Sequence, residues 1–119
     1  MELKMKTEEG NEYLKQGRQA KDVGIVLTNL RLAQHFGADS REIFETYLDR
    51  AKGMTSPDDF AVLINEAIDI GFNLGNCALL GKANDLVRER LTDPTLEDPS
   101  QDHAKRMYVG LFDRLGKGK

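Results

Sequence analysis

Apolar residues recur along this chain at the three-and-four spacing of α-helices, and no segment alternates apolar and polar residues over strand length. The best-signalled helix begins at Asp39. That residue stands three before Glu42, the spacing of a capping box, with Ser40 as the competing cap. Ile43, Phe44, Tyr47, Leu48 and Ala51 then make one stripe, and Gly53 closes it. Ser56-Pro57-Asp58-Asp59 opens the next helix with a cap, a proline at the first position and acids on the positive helix end. The pattern carries this helix over 57–80, with Gly81 as its stop. Further helices are predicted over 7–16, 20–36, 82–91 and 100–115. Thr7 caps the first, with Glu8 and Glu9 in its first turn and Gly17 past its end; Gly37 stops the second. Ala104, Met107, Tyr108, Leu111, Phe112 and Leu115 stripe the last. Residues 92–99, with two prolines and three acids, read as a loop, and 1–6 and 116–119 as frayed ends. The expected fold is all-α: one domain over 1–119, a compact bundle of five or six helices with the apolar helix at 57–80 in its centre.

That central helix is unusual. No Lys or Arg occurs from Met54 to Gly81. On a wheel of roughly 100° per residue, Asn65, Glu66, Asp69, Asn73 and Asn76 share an arc of roughly 100°, and apolar residues cover about 220°. A helix lying on one core needs an apolar stripe little wider than roughly 100°, so this one is expected to be surrounded on most sides. Ala67, Gly71, Gly75 and Ala78 lie near the centre of the wide arc. Small residues at that spacing admit a close neighbour, which offsets the cost of about 1 kcal/mol for each mid-helix glycine. The neighbour is another helix of the bundle, or a second copy or partner; alternatively Gly71 or Gly75 breaks the helix in two. The second helix also has two apolar stripes. Val23, Val26, Leu27, Leu30 and Ala33 form one; Ile25, Leu32 and Phe36 form the other. One meets the core, and the other meets the first helix or another chain.

Gly10-Asn11-Glu12-Tyr13-Leu14-Lys15-Gln16-Gly17-Arg18 and Gly75-Asn76-Cys77-Ala78-Leu79-Leu80-Gly81-Lys82 share a Gly-Asn…Leu…Gly-basic outline. The first resembles the opening helix of a tetratricopeptide repeat. The resemblance covers nine residues and lacks the alanine and proline pattern of that family's second helix. It implies antiparallel helical hairpins.

Composition narrows the classes of function. A chain of 119 residues is long enough to bury about two-thirds of its unfolded surface without a disulfide or metal. With 17 Lys+Arg against 20 Asp+Glu, the net charge of −3 argues against a general nucleic-acid or acidic-membrane binder. Cys77 is the only cysteine, which fits a reducing compartment. Met1-Glu2-Leu3-Lys4-Met5-Lys6 has no apolar signal-peptide core, and the apolar run Phe60-Ala61-Val62-Leu63-Ile64 is too short to span a bilayer. A cytoplasmic location is expected, with no membrane partner.

Candidate chemistry is sparse. His35 falls in a last helical turn, where the macrodipole favours imidazolium. Asp102-His103 follows Asp93, Glu97 and Asp98, but the spacing matches no established metal site and reads as a solvated acidic loop and helix cap. Cys77, on an apolar helix with Lys82 as the nearest following base, is expected to be buried. The glycines form no phosphate cradle. A helix-turn-helix over the third and fourth helices would present acids, and no base through Leu80, to phosphate. No catalytic, metal or cofactor residue is assigned. The expected function is a non-enzymatic helical protein–protein interaction module that self-associates, contacting itself or another protein through Ile25, Leu32, Phe36, Ala67, Gly71, Gly75 and Ala78. The alternative is a small enzyme or ligand-binding domain whose pocket draws polar groups from Asp69, Asn73, Asn76 and His103. A third is a nucleic-acid-associated regulator acting through Lys82, Arg88 and Arg90.

Overall fold

Four short polar side chains set where helices begin. Asp22 accepts the backbone N–H groups of Gly24 (2.8 Å) and Ile25 (3.3 Å) and starts a helix over Val23–His35. Asp39 accepts from Arg41 N–H (2.9 Å) ahead of Ser40–Lys52. Ser56 accepts from Asp59 N–H (3.4 Å) ahead of Pro57–Leu74, and Asn76 from Leu79 N–H (3.1 Å) ahead of Cys77–Leu91. With Glu2–Gln19 at the front and Asp102–Lys117 at the back, these are α1 to α6 in chain order. The computed structural model describes residues 2–117, with side chains from 8 to 116; of the ends where fraying was expected, residues 2–6 extend α1 ahead of Thr7 and 116–117 continue α6, while Met1 and residues 118–119 lie outside the described residues. Among the described residues there is no strand, and the fold is an all-α bundle.

The helices pack as three hairpins: α1 on α2, α3 on α4, and α5 on α6. Successive hairpins touch through α1–α3 and α3–α5, and through α2–α4 and α4–α6. The Cα atoms span 55 × 31 × 14 Å. The shortest dimension holds two layers of helices, since two Cα cylinders of radius about 2.3 Å at 8–10 Å separation need about 13–15 Å.

Helix α4 meets α2, α3, α5 and α6, which is why its apolar arc is so wide. Phe60, Leu63, Ile64, Ala67 and Ile68 are fully buried there, against Ile43, Phe44 and Tyr47 of α3 and Leu79 and Val87 of α5 in one continuous core.

The predicted helix at 57–80 is in fact two. It stops at Leu74, where Gly75 adopts the left-handed conformation (φ 60°). Asn76 N–H then bonds to the Gly71 carbonyl (3.1 Å) and Gly75 N–H to that of Phe72 (3.0 Å). This paired closure ends a helix at glycine, and the next residue, Asn76, caps α5. The wheel reads Gly75-Asn76 as two more helical positions; the backbone uses them as a stop and a start. Helix α5 therefore begins at Cys77 rather than 82, and Gly81 lies inside it.

Gly17 shows the opposite. Expected as a stop, it lies inside α1, which runs on to Gln19. A Cβ there would come within 2.6 Å of Leu30 Cδ2, and one on Gly10 within 3.0 Å of the Ala33 carbonyl oxygen and Ala38 nitrogen. Both glycines let α2 approach α1 closely. Gly71 does the same for α5, because its Cβ would lie 2.7 Å from Leu80 Cδ2. The loop at 92–99 is also more ordered than its composition suggests. Asp93 and Asp98 each cap one turn of 3-10 helix, over Pro94–Glu97 and Pro99–Gln101.

Candidate interaction surface

Helix α5 presents three faces. Leu79, Ala83, Leu86 and Val87 point into the core. Lys82, Asp85 and Glu89 face a shallow concavity of about 680 Å³ shared with Arg18 of α1 and Glu45, Asp49 and Lys52 of α3. Its charges are mixed and partly paired: Lys82 Nζ donates to Glu45 Oε1 (2.6 Å), and Arg18 Nε donates to the buried Thr46 hydroxyl (3.4 Å). The third face carries Cys77, Leu80, Gly81, Asn84 and Arg88, spaced at helical intervals.

This third face and the outer side of α6 enclose a groove of about 650 Å³. Phe112, Leu115 and Gly116 complete its lining. Leu115 anchors α6 in the core, while Phe112 stands 40% exposed. Among the described residues Arg88 is the only formal charge in the lining. Cys77 is exposed here, contrary to the expected burial, because the break at Gly75 moves it from mid-helix to the first turn of α5.

The residues expected to make an interface are scattered. Ile25 is 54% exposed on α2. Phe36 is half-buried and stacks on Tyr13 of α1 at 5.6 Å, and Leu32 is half-buried. Ala67 is enclosed, Gly71 receives Leu80 of the same chain, Gly75 is the exposed helix stop, and Ala78 is exposed. Leu80, Gly81, Phe112 and Gly116 carry the groove instead. Reading Phe112 with the α6 core stripe hid it, although on the wheel it sits on the edge of that stripe.

The residues proposed for a polar pocket are not gathered either. Asp69 pairs with Arg114 of α6, which also donates to the Asn65 carbonyl (3.1 Å) and side chain (2.7 Å). Asn73 is exposed, and Asn76 caps α5. His103 Nε2 lies 2.9 Å from Asp58 Oδ1 at the surface. Neither concavity is lined by any of the four. At the other side of α4's polar strip, Glu66 pairs with Arg31 of α2. The hydrogen bond to Glu66 raises the Arg31 pKa. Beneath this pair the wholly buried Tyr47 has a hydroxyl with no hydrogen-bond partner. Burial first, and the Glu66 carboxylate second, push its pKa well above the ordinary phenol value.

The acidic loop spends its carboxylates locally. Asp93 accepts from Thr95 N–H (3.0 Å) and hydroxyl (2.9 Å), and Asp98 from Ser100 N–H (2.9 Å). Asp102 pairs with Arg106 (3.0 Å) and Glu97 with Lys105 (3.8 Å). Among the described residues no three His, Cys, Asp or Glu side chains converge as metal ligands.

Of the three bases considered for nucleic acid, Lys82 is paired as above. Arg90 is turned inward: its Nη2 donates to the carbonyls of Ala51 (3.3 Å), Lys52 (3.3 Å) and Met54 (3.0 Å). Its guanidinium also stacks over the Phe60 ring at 4.2 Å, so α5 caps the end of α3. Only Arg88 stands open. No described helix is long and apolar enough to cross a membrane. Comparison with protein-family models, with curated proteins and with solved structures gives no match.

Proposed function

We propose that this protein is a non-enzymatic helical interaction module that associates with copies of itself. The observation behind this reading is the α5–α6 groove, where Leu80, Phe112 and Leu115 border a concavity open to solvent. The groove sets these apolar residues beside Asn84 and Arg88, the arrangement of apolar centre and polar rim found in protein–protein interfaces. The dispersal of Asp69, Asn73, Asn76 and His103 supports an interaction module over the enzyme alternative, because catalysis needs its groups within hydrogen-bond reach of one another. The engagement of Lys82 and Arg90 within the chain similarly weakens the nucleic-acid reading.

Light scattering behind size exclusion tests it. The expected result is a mass above the 13.4 kDa monomer that climbs with concentration. A mass fixed at the monomer value from tens of micromolar to about one millimolar contradicts self-association.

A further inference from the structure

We infer that two copies pack their α5–α6 faces together about a two-fold axis, each Phe112 entering the notch formed by Gly81 and Gly116 of the other copy; this rests on the self-association reading above. The protein uses glycine notches repeatedly inside its own fold. The space beside Gly17 is filled by Leu30, that beside Gly71 by Leu80, and that beside Gly10 by the backbone of Ala33, Phe36 and Ala38. Gly81, Gly110 and Gly116 also lie in helices, yet a Cβ on any of them would meet nothing within 4 Å. Gly110 lies outside the groove, whereas Gly81 and Gly116 line it together. Gly81 is interior to α5, where glycine is unfavourable relative to alanine and the monomer offers no packing in return; Gly116 lies one residue from the end of α6, where glycine carries little such cost.

The occupant is a second copy because the face complements itself. It carries a protruding ring, Phe112, as well as the notch. On α6, Val109, Phe112, Asp113 and Gly116 follow one another at i, i+3, i+4 and i+7, so the exposed Asp113 stands outside the groove lining on the outer face of α6, next to Gly116 on the wheel. Across the groove stands Arg88. Among the described residues neither Arg88 nor Asp113 enters an ion pair. A face with knob and notch, and with one charge of each sign, matches its own copy after a half-turn. That rotation brings each Arg88 toward Asp113 of the other copy. The area also sets the strength. Two helices about 23 Å long, side by side at about 10 Å, offer roughly 450 Å² per copy. Standard interfaces bury about 800 Å² per partner, so the dimer is weak and concentration-dependent.

Sedimentation equilibrium on the full chain, with circular dichroism to verify folding, tests the arrangement. Wild type is expected to show a monomer–dimer equilibrium. Phe112→Glu, at an exposed position, is expected to stay folded and remain monomeric. Arg88→Asp and Asp113→Arg are each expected to raise the dissociation constant about threefold or more, with the double exchange returning it toward wild type. Gly81→Ala is expected to raise the melting temperature while weakening the dimer, a pair of opposite changes that a structural role alone does not produce. A dimer indifferent to Phe112→Glu and to the charge exchanges overturns this face but leaves self-association standing. Failure of the double exchange to restore the dimer overturns the two-fold arrangement. A wild type that stays monomeric overturns both the arrangement and the reading on which it rests.

Discussion

The α1–α2 seam and the outer face of α5–α6 use the same residue type to opposite effect. In the first, Gly10 and Gly17 sit against the backbone and Leu30 of α2, and the space a side chain would take is already occupied. In the second, Gly81 and Gly116 border open space beside a half-exposed Phe112. A helical glycine therefore marks a close approach only when something fills it. The filled notches hold the chain's own helices together; the unfilled ones, with Gly110 outside the groove among them, leave open space in the monomer.

The comparison breaks first at Gly10. Gly10→Ala places a Cβ against backbone atoms that cannot rotate away, and a loss of about 1–3 kcal/mol is expected by chemical denaturation. If the variant is as stable as wild type, the seam is not close-packed. Arg90 and Arg88, two residues apart on α5, sharpen the inner-versus-outer contrast. Arg90→Met removes the donors to three carbonyls at the end of α3, with an expected cost of about 1–2 kcal/mol. Arg88→Met is expected to change monomer stability by less than about 0.5 kcal/mol. Equal effects from the two substitutions undo the distinction between the faces.

Gly81→Ala should go the other way, stabilising the monomer by about 0.5–1 kcal/mol through helix propensity alone. A loss of stability there would mean that the notch is filled within the monomer. The smallest effect concerns acid. Hydrogen bonds from Thr95 and Ser100, chiefly from their backbone N–H groups, hold the Asp93 and Asp98 carboxyls below their ordinary value of 3.8. With folded values below unfolded ones, their contribution is complete above about pH 4 and is lost as the pH falls through the lower folded values. The double variant Asp93→Asn/Asp98→Asn should show a shallower fall in melting temperature from about pH 4 to about pH 2. An unchanged slope would place the acid sensitivity elsewhere.

Much of the framework is legible in the sequence where the signal is local. The cap at Asp39, the stripe from Ile43 to Ala51 and the stop at Gly53 all follow from α3's own residues. So does the start of α4 at Ser56-Pro57. Glycine is where local reading fails. Gly17, Gly71 and Gly75 look alike in sequence, and only the neighbour or the backbone angle separates a close approach from a stop. The two Gly-Asn segments that share a repeat outline illustrate this, since Gly10 lies inside α1 and Gly75 ends α4. Arg90 reaches carbonyls 36 to 39 residues away, which no periodicity reports. The groove is not legible in the periodicity of any one helix, because residues of two separate helices form it. The wheel puts the small-residue centre on Ala67 and Gly71, which the chain covers itself, whereas the open apolar groove lies at Leu80 and Phe112.

Backbone amide shifts recorded at low and high protein concentration test the self-association face most directly. Changes are predicted at Cys77, Leu80, Gly81, Arg88, Phe112 and Gly116, with Ile25 and the charged concavity around Asp49 and Asp85 unmoved. Shifts centred on α1–α2 or on the charged concavity, or spectra that do not change with concentration, would contradict the account.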